Sequence, residues 1–375
     1  MSHVLVLGGG FGGLVAAERL AKRLAPEHRV TLVSRGERFL FYPAFVKLAF
    51  GSCEPGDVSF DMRETLTDRR VRFVQAEVAR IEPEERHVIT SGGEVEGRIH
   101  YDYLVLALGR RLATEQVPGF YEHAHHLLSV ESALEFGDAV RGFKEGHAVL
   151  GYCPGARLAI PVYEAALALA RRLEEEGRRG QARITIITPE PPGSPMEGEE
   201  IRGALRDALD AHNVAFWPDF PVNKVTADRV HTRDGAGLHY DLLMLVPPFQ
   251  GPGALIGTGL TDEEGYVRVD SRMRVRGVER MYAVGDCVNL PGPKMGHMAV
   301  NQAEVAAANL AAEIDGAEPS AVYNHEMKLV IDEGGHSSIY FSKELGNGHG
   351  ATVRQGRFWG WAKWVHEKYW ESLHG

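Results

Sequence analysis

The sequence ends two apolar runs on glycine-containing loops, LGGGFGG at residues 7–13 and LGYCPG at 150–155. Gly8, Gly10 and Gly13 of the first loop fit G-x-G-x-x-G between a strand and a helix, a pattern that cradles a dinucleotide pyrophosphate. The first glycine permits the tight turn, the second lets backbone approach the phosphates, and the third lets helix and strand pack closely. The helix start adds free N–H groups and the positive end of a dipole. Gly12 belongs to the same loop. In the second loop the reactive type is Cys153, because a thiol at a helix start can acquire a lowered pKa and act as a nucleophile. The competing reading of Cys153 is a small residue packing in a turn.

Further along, GVERMYAVGDCVNLPGPKMGHM (277–298) reads as a strand, a loop and the start of an alanine-rich helix. Gly285 and Asp286 follow that strand directly. A carboxylate there can accept a ribityl hydroxyl, and the following helix start favours negative charge on a reduced flavin. The three cysteines, Cys53, Cys153 and Cys287, are too few and too scattered for a disulfide framework or a zinc cluster. No metal site is expected.

These residues need parallel strands to present them. Val4–Leu7 reads as a buried strand leading into the first loop, and Val30–Val33 as the next. Ser34 and Arg35 stand where an acidic ribose contact is usual, and the Ser34 hydroxyl can take over that hydrogen bond. YDYLVLALGR (101–110) is an apolar strand whose end, Ala107, Leu108 and Gly109, suits passage beneath a nucleotide. The pattern then repeats: HYDYLVLALG returns as HYDLLMLVPP, and HVLVLGGGFGG as HAVLGYCPGA. The expected fold is α/β with two Rossmann-like dinucleotide-binding domains, the second inserted into the first. Residues 1–110 and 256–320 form the first, 111–255 the second, and 321–375 a C-terminal amphipathic helical segment. Aligned with the first loop, the second offers Leu150, Cys153 and Gly155 for the three glycines. A bulky residue keeps backbone off a pyrophosphate, so NAD(P)H is not expected to bind there.

A net charge of −10 over 375 residues excludes a basic nucleic-acid binder. The apolar runs are too short for a spanning helix, and the immediate strand at the N-terminus leaves no room for a signal peptide, so a cytoplasmic location is expected. Trp359, Trp361, Trp364 and Trp370 crowd the C-terminal end. On a helix, Phe358, Trp361, Ala362, Val365, Tyr369 and Leu373 share one face, opposite Lys363, Glu367 and Glu371. Such a helix, from Phe358 to Trp370, can lie in a membrane interface without crossing it. Packing on its own domain or on a second copy of the chain is the alternative.

The ordered set GGGFGG, RFLFYPAF, YDYLVLALGR, TPEPPG, VPPFQG, EEGYVRVDSRMRV, MYAVGDC, GPKMGHM and WAKWVHEKYW resembles the sulfide:quinone oxidoreductase family and its flavocytochrome c sulfide dehydrogenase relatives. The resemblance spans nearly the whole chain. It implies FAD, with its pyrophosphate over Gly8–Gly13, Ala107–Gly109 near the nucleotide, and the Val78 backbone at the adenine. It places Asp286 on the ribityl chain, Pro43 on the cofactor side, and Lys294, Gly296 and Met298 near the flavin pyrimidine and the quinone. Lys294 would stabilise the reduced anion, and Tyr340, Phe341 and Phe358 would wall a quinone pocket. Two electrons would pass from sulfide or another small donor through the flavin to a quinone. The family's two redox cysteines are replaced by Leu158 and Leu329, which cannot carry sulfur chemistry, so sulfide would attack the flavin directly or with help from Cys153. Two alternatives stay open, a type II NADH:quinone reductase and a non-catalytic flavin-binding subunit or sensor.

Overall fold

The computed structural model describes residues 1–190, 199–333, 337–345, 350–363 and 370. Its larger sheet has seven strands in the order Met281–Ala283, Tyr103–Leu106, His3–Leu7, Arg29–Ser34, Val71–Glu82, His87–Gly93 and Gly97–His100. The first five run parallel and the last two return as an antiparallel meander. The near-continuous aliphatic runs of His3–Leu7 and Tyr103–Leu106 suit strands covered on both faces. Helix Phe11–Arg23 packs against helix Gly296–Ile314, whose alanines Ala299, Ala303, Ala306 and Ala307 are buried, and Gly12 lies beside the Ala299 carbonyl. The Arg19–Glu304 ion pair between them, at 2.5 Å, is well exposed and contributes little.

Strand Met281–Ala283 completes the first sheet after an excursion of the chain. That excursion holds a second parallel sheet, ordered Ala215–Trp217, Ala182–Ile187, Gly146–Tyr152 and Leu242–Val246, with its own antiparallel trio of Val222–Val225, Arg229–Thr232 and Gly237–His239. The outgoing strand Arg111–Leu112 pairs with the returning strand Phe249–Gln250, so the two crossings run side by side.

The duplication extends to individual hydrogen bonds. Asp102 Oδ2 accepts from the His3 backbone N–H at 2.6 Å, and Asp241 Oδ2 accepts from the His147 N–H at 2.7 Å. His3 Nε2 meets Thr31 Oγ1 at 2.9 Å, and His147 Nε2 meets Thr185 Oγ1 at 2.8 Å. Burial lowers the pKa of both histidines.

These pins fix the register between the two units. With His3 opposite His147, and with Leu7↔Val33 matching Gly151↔Ile187, the residues equivalent to Gly8, Gly10 and Gly13 are Tyr152, Pro154 and Arg157. The alignment on Leu150, Cys153 and Gly155 is therefore corrected. All three glycines are lost, and the following helix begins only at Ile160, five residues later than its counterpart Phe11 after allowing for the register.

The C-terminal region opens on an element that its composition did not announce. Glu326–Asp332, Ser338–Glu344 and Thr352–Gln355 form an antiparallel sheet. Met327, Leu329 and Ile331 alternate inward along its first strand. Helical residues follow at 357–363. The expected face members Val365, Tyr369 and Leu373, with Trp364, Glu367 and Glu371, lie outside the described residues.

Candidate cofactor site

The candidate residues gather at the C-terminal edge of the first sheet, where ligands of open α/β folds bind. Gly8 takes φ +107°, and a Cβ there would stand 2.1 Å from Ala107 O. A Cβ on Gly13 would stand 1.8 Å from Gly8 O. Both glycines are required by the turn and the packing. Gly12 is tight against Val284, at 3.0 Å from its Cγ2. Gly10 is different, since a Cβ there meets nothing within 4 Å among the described residues. The space beside it is open, as a cradle for a phosphate requires.

Ser34 ends its strand and faces the loop, 2.8 Å from where a Gly9 Cβ would be. Arg35 follows, its carbonyl accepting from Gln75 Nε2 at 3.3 Å. Val78 lies beyond Gln75, the last partner of Ser34, where its strand overhangs the sheet edge. Pro43 sits in the short 3-10 turn Tyr42–Ala44. Its neighbour Tyr42 is 39% exposed, and its crowded phenol, raised in pKa by burial, has Arg110, Asp286 and Arg35 as charged neighbours. Gly285 takes φ +79°, and its N–H donates to Gln302 Oε1 at 2.7 Å. Gly296 starts its helix against the Phe11 ring, and Met298 is buried two residues further along the same turn.

Lys294 is 6% exposed and packs 4.6 Å above the Tyr266 ring. Its ammonium donates to Val288 O. Burial, then the nearby Arg157 charge, lower its pKa to about 7. Gly285, Asp286, Lys294, Met298, Gln302 and His325 line one cleft.

Cys153 is placed elsewhere. It is fully buried among Val149, Ile187, Phe220 and Leu245 of the second unit, and burial pushes its thiol up to about 12. Cys287 is buried as well, with its thiol against Leu106 O and Val284 O and its pKa likewise about 12. Neither thiol is available as a thiolate at neutral pH. Leu158 and Leu329 both pack on the main core. Phe341 is also core, at 0% exposure, so it walls no pocket. Tyr340 instead stacks on Trp359, with centroids 4.3 Å apart.

Two features escaped the sequence reading. Arg110 Nη1 donates to Asp286 Oδ2, across 176 residues of chain. Trp370 is 7% exposed and packs on Phe11, Phe39 and Phe41, with centroids 5.1, 5.9 and 6.4 Å away. Two arginines directly after a strand end, Arg110 and Arg111, were the available signal for the first. The second left no signal beyond the tryptophan itself.

The surroundings fit an anionic, many-acceptor cofactor. Helices Phe11–Arg23 and Gly296–Ile314 both start without a side-chain cap and without an acidic residue in the first turn. Arg110 Nε and Tyr266 Oη are buried with no hydrogen-bond partner among the described residues. Free donors of this kind suit phosphates and hydroxyls.

Residues 2–307 match the family described as pyridine nucleotide-disulphide oxidoreductase. The chain belongs to that family. FAD is the cofactor of this family, and the Gly10 cradle and the free donors fit it. The solved structure of a sulfide:quinone oxidoreductase from Aquifex aeolicus superposes with a TM-score of 0.92 at 26% identity, covering all of this chain and 92% of that one. A sulfide-quinone reductase of the same organism is 31% identical over 266 residues, 68% of this chain but 61% of that protein. A type II NADH:quinone oxidoreductase of Staphylococcus aureus is 23% identical, with 94% of this chain and 93% of that protein covered. No described helix in this family member is long and apolar enough to cross a membrane.

Lys294 gives a pH signature. Its folded pKa of about 7 lies below the ordinary 10.5. Between those values the unfolded chain holds one proton more, so apoprotein stability rises with pH, by about 1.4 kcal/mol per unit at most. The cost of burying the charge is fully present below about 7. Lys294→Met flattens this rise, as measured by urea midpoints across that window.

Proposed function

We propose that the chain is an FAD-dependent oxidoreductase that passes two electrons from a small donor to a quinone. The observation that carries the reading is the open Gly10 cradle, set beside buried Lys294 and the Arg110–Asp286 pair. Gly8–Gly13 and the uncapped start of Phe11–Arg23 hold the pyrophosphate. Ser34, Arg35, Pro43, Val78 and Ala107–Gly109 surround the nucleotide end, and Gly285, Asp286, Lys294, Gly296 and Met298 the flavin end. The bound flavin supplies reversible two-electron chemistry. Lys294, poised near neutrality, takes up a proton and holds a positive charge when negative charge builds beside it. Trp370 covers Phe11 and excludes water from that end of the loop.

The quinone reading draws on the relatives and on the chain's end. Phe358 and Trp361 are 60% and 58% exposed, while Lys363 on the same stretch turns inward to Glu164. A helix that presents its aromatic residues to solvent and buries its lysine is suited to a membrane surface. Trp370 is withdrawn from that surface. The location that follows is peripheral, on the cytoplasmic face of a membrane.

A cysteine relay from sulfide has no support at Leu158, Leu329 or buried Cys153, so a donor that reacts with the flavin directly is favoured. NADH is disfavoured because Tyr152, Pro154 and Arg157 replace the second set of glycines. Anaerobic addition of NADH to the purified flavoprotein leaves the visible flavin band intact, and Cys153→Ala changes no donor's bleaching rate. Rapid bleaching by NADH restores the NADH:quinone reductase reading. A flavoprotein that no small donor bleaches is a binding subunit instead.

A further inference from the structure

Arg110 stands where three stretches of chain converge. It follows Gly109, whose φ of +69° turns the chain sharply out of the Ala107–Gly109 segment. Its guanidinium bonds to Asp286, in the turn after the strand that completes the first sheet. Its Cζ also lies 4.2 Å from the Phe249 ring centroid, on the strand by which the second unit returns. One side chain thus ties the cofactor loop to both junctions between the units. The pair is well enclosed, with side chains 14% and 16% exposed. Arg110 still has a buried donor, Nε, with no hydrogen-bond partner among the described residues. Tyr42, Tyr266 and Lys294 all feel its charge.

A carboxylate at this edge carries a conflict. It is suited to accept hydroxyls from a sugar-alcohol chain, yet its charge opposes a neighbour that becomes negative on reduction. In an enclosed site that opposition is weakly screened. A guanidinium on one carboxylate oxygen resolves the conflict, since it cancels the charge and leaves the other oxygen free to accept. Its planar head, held also against the Phe249 ring, gives that contact a more defined direction than the point charge of a lysine would.

We propose that Arg110 is a positioning residue for the flavin: it orients Asp286 toward the ribityl chain and offsets the carboxylate charge, and so sets the reduction potential of the cofactor. The inference rests on the FAD reading. A mere tie between two loops behaves differently, because its loss lowers stability and leaves the potential where it was.

The test uses the full-length holoprotein, reconstituted with FAD, and measures the midpoint potential by dye equilibration together with FAD affinity. In Arg110→Met the unpaired carboxylate moves the potential to more negative values, and affinity falls about tenfold. In Asp286→Asn the guanidinium is uncompensated and the potential becomes more positive. The double variant returns toward the wild-type potential, because the two charges leave together. Arg110→Lys keeps the potential near wild type with weaker affinity. If Arg110→Met does not fold, Arg110→Gln takes its place, a more negative potential supporting the inference and a wild-type potential overturning it. Potentials equal to wild type in the variants that fold overturn the inference. A wild type that takes up no FAD overturns the cofactor reading itself, before any variant is compared.

Discussion

Gly10→Val purifies as a folded protein without flavin. Gly10 sits at φ −81° and ψ −172°, a conformation open to any residue, and an added Cβ meets no atom of the described residues within 4 Å. The apoprotein therefore tolerates the change. The same side chain projects into the space where backbone must approach a pyrophosphate. FAD affinity falls at least about a hundredfold, about 3 kcal/mol, while the apoprotein unfolds at the wild-type temperature. Gly8→Val is the contrast. Its Cβ would stand 2.1 Å from Ala107 O at φ +107°, so that variant loses the fold and not only the ligand. Flavin titration followed by fluorescence, beside thermal unfolding of both apoproteins, separates the two effects. Stoichiometric FAD in Gly10→Val would remove the pyrophosphate from this loop.

The difference between those two glycines marks what the sequence could convey. G-x-G-x-x-G is written in consecutive residues, so the first loop and the strands that present it were legible. The duplication was legible too, because HYDYLVLALG and HYDLLMLVPP carry the pinning Asp102 and Asp241 in matching places. The register of the second loop was not. Alternating aliphatic residues slide by a position without penalty in a string, whereas the His147–Asp241 and Gly151↔Ile187 pairings allow one solution. Pairings across long separations were invisible for the same reason. Arg110 and Asp286 become neighbours only because Met281–Ala283 lies beside Tyr103–Leu106. Trp370 read as a membrane residue by its company, yet the aromatic pocket of Phe11, Phe39 and Phe41 claims it. Lys363 belongs by spacing to the polar face, yet its own side chain turns inward to Glu164.

That inward lysine yields the second large effect. Glu164, in the helix Ile160–Glu175, is 5% exposed and accepts from Lys363 Nζ at 2.6 Å and from the Asp332 N–H at 3.0 Å. Burial raises its pKa, and the Lys363 charge opposes that rise. Removing the lysine leaves a buried carboxylate with its burial cost and without its counter-charge. Lys363→Met therefore destabilises the protein by about 3–5 kcal/mol at neutral pH. The sign with pH follows from the raised carboxyl: the folded chain holds the extra proton, so the deficit of the variant grows as pH rises from acid toward neutrality. Glu164→Gln combined with Lys363→Met recovers most of the loss, because no charge then remains to be buried. Denaturant midpoints for the two single variants and the double variant give the coupling directly. A Lys363→Met loss below about 1 kcal/mol would mean that the pair behaves as an exposed one. The effect also bears on the cofactor, since Lys363 fixes the chain end to the second unit and Trp370 fixes it to the Phe11 loop. Loosening the first anchor weakens the second, and FAD leaves Lys363→Met faster than wild type in a dilution experiment.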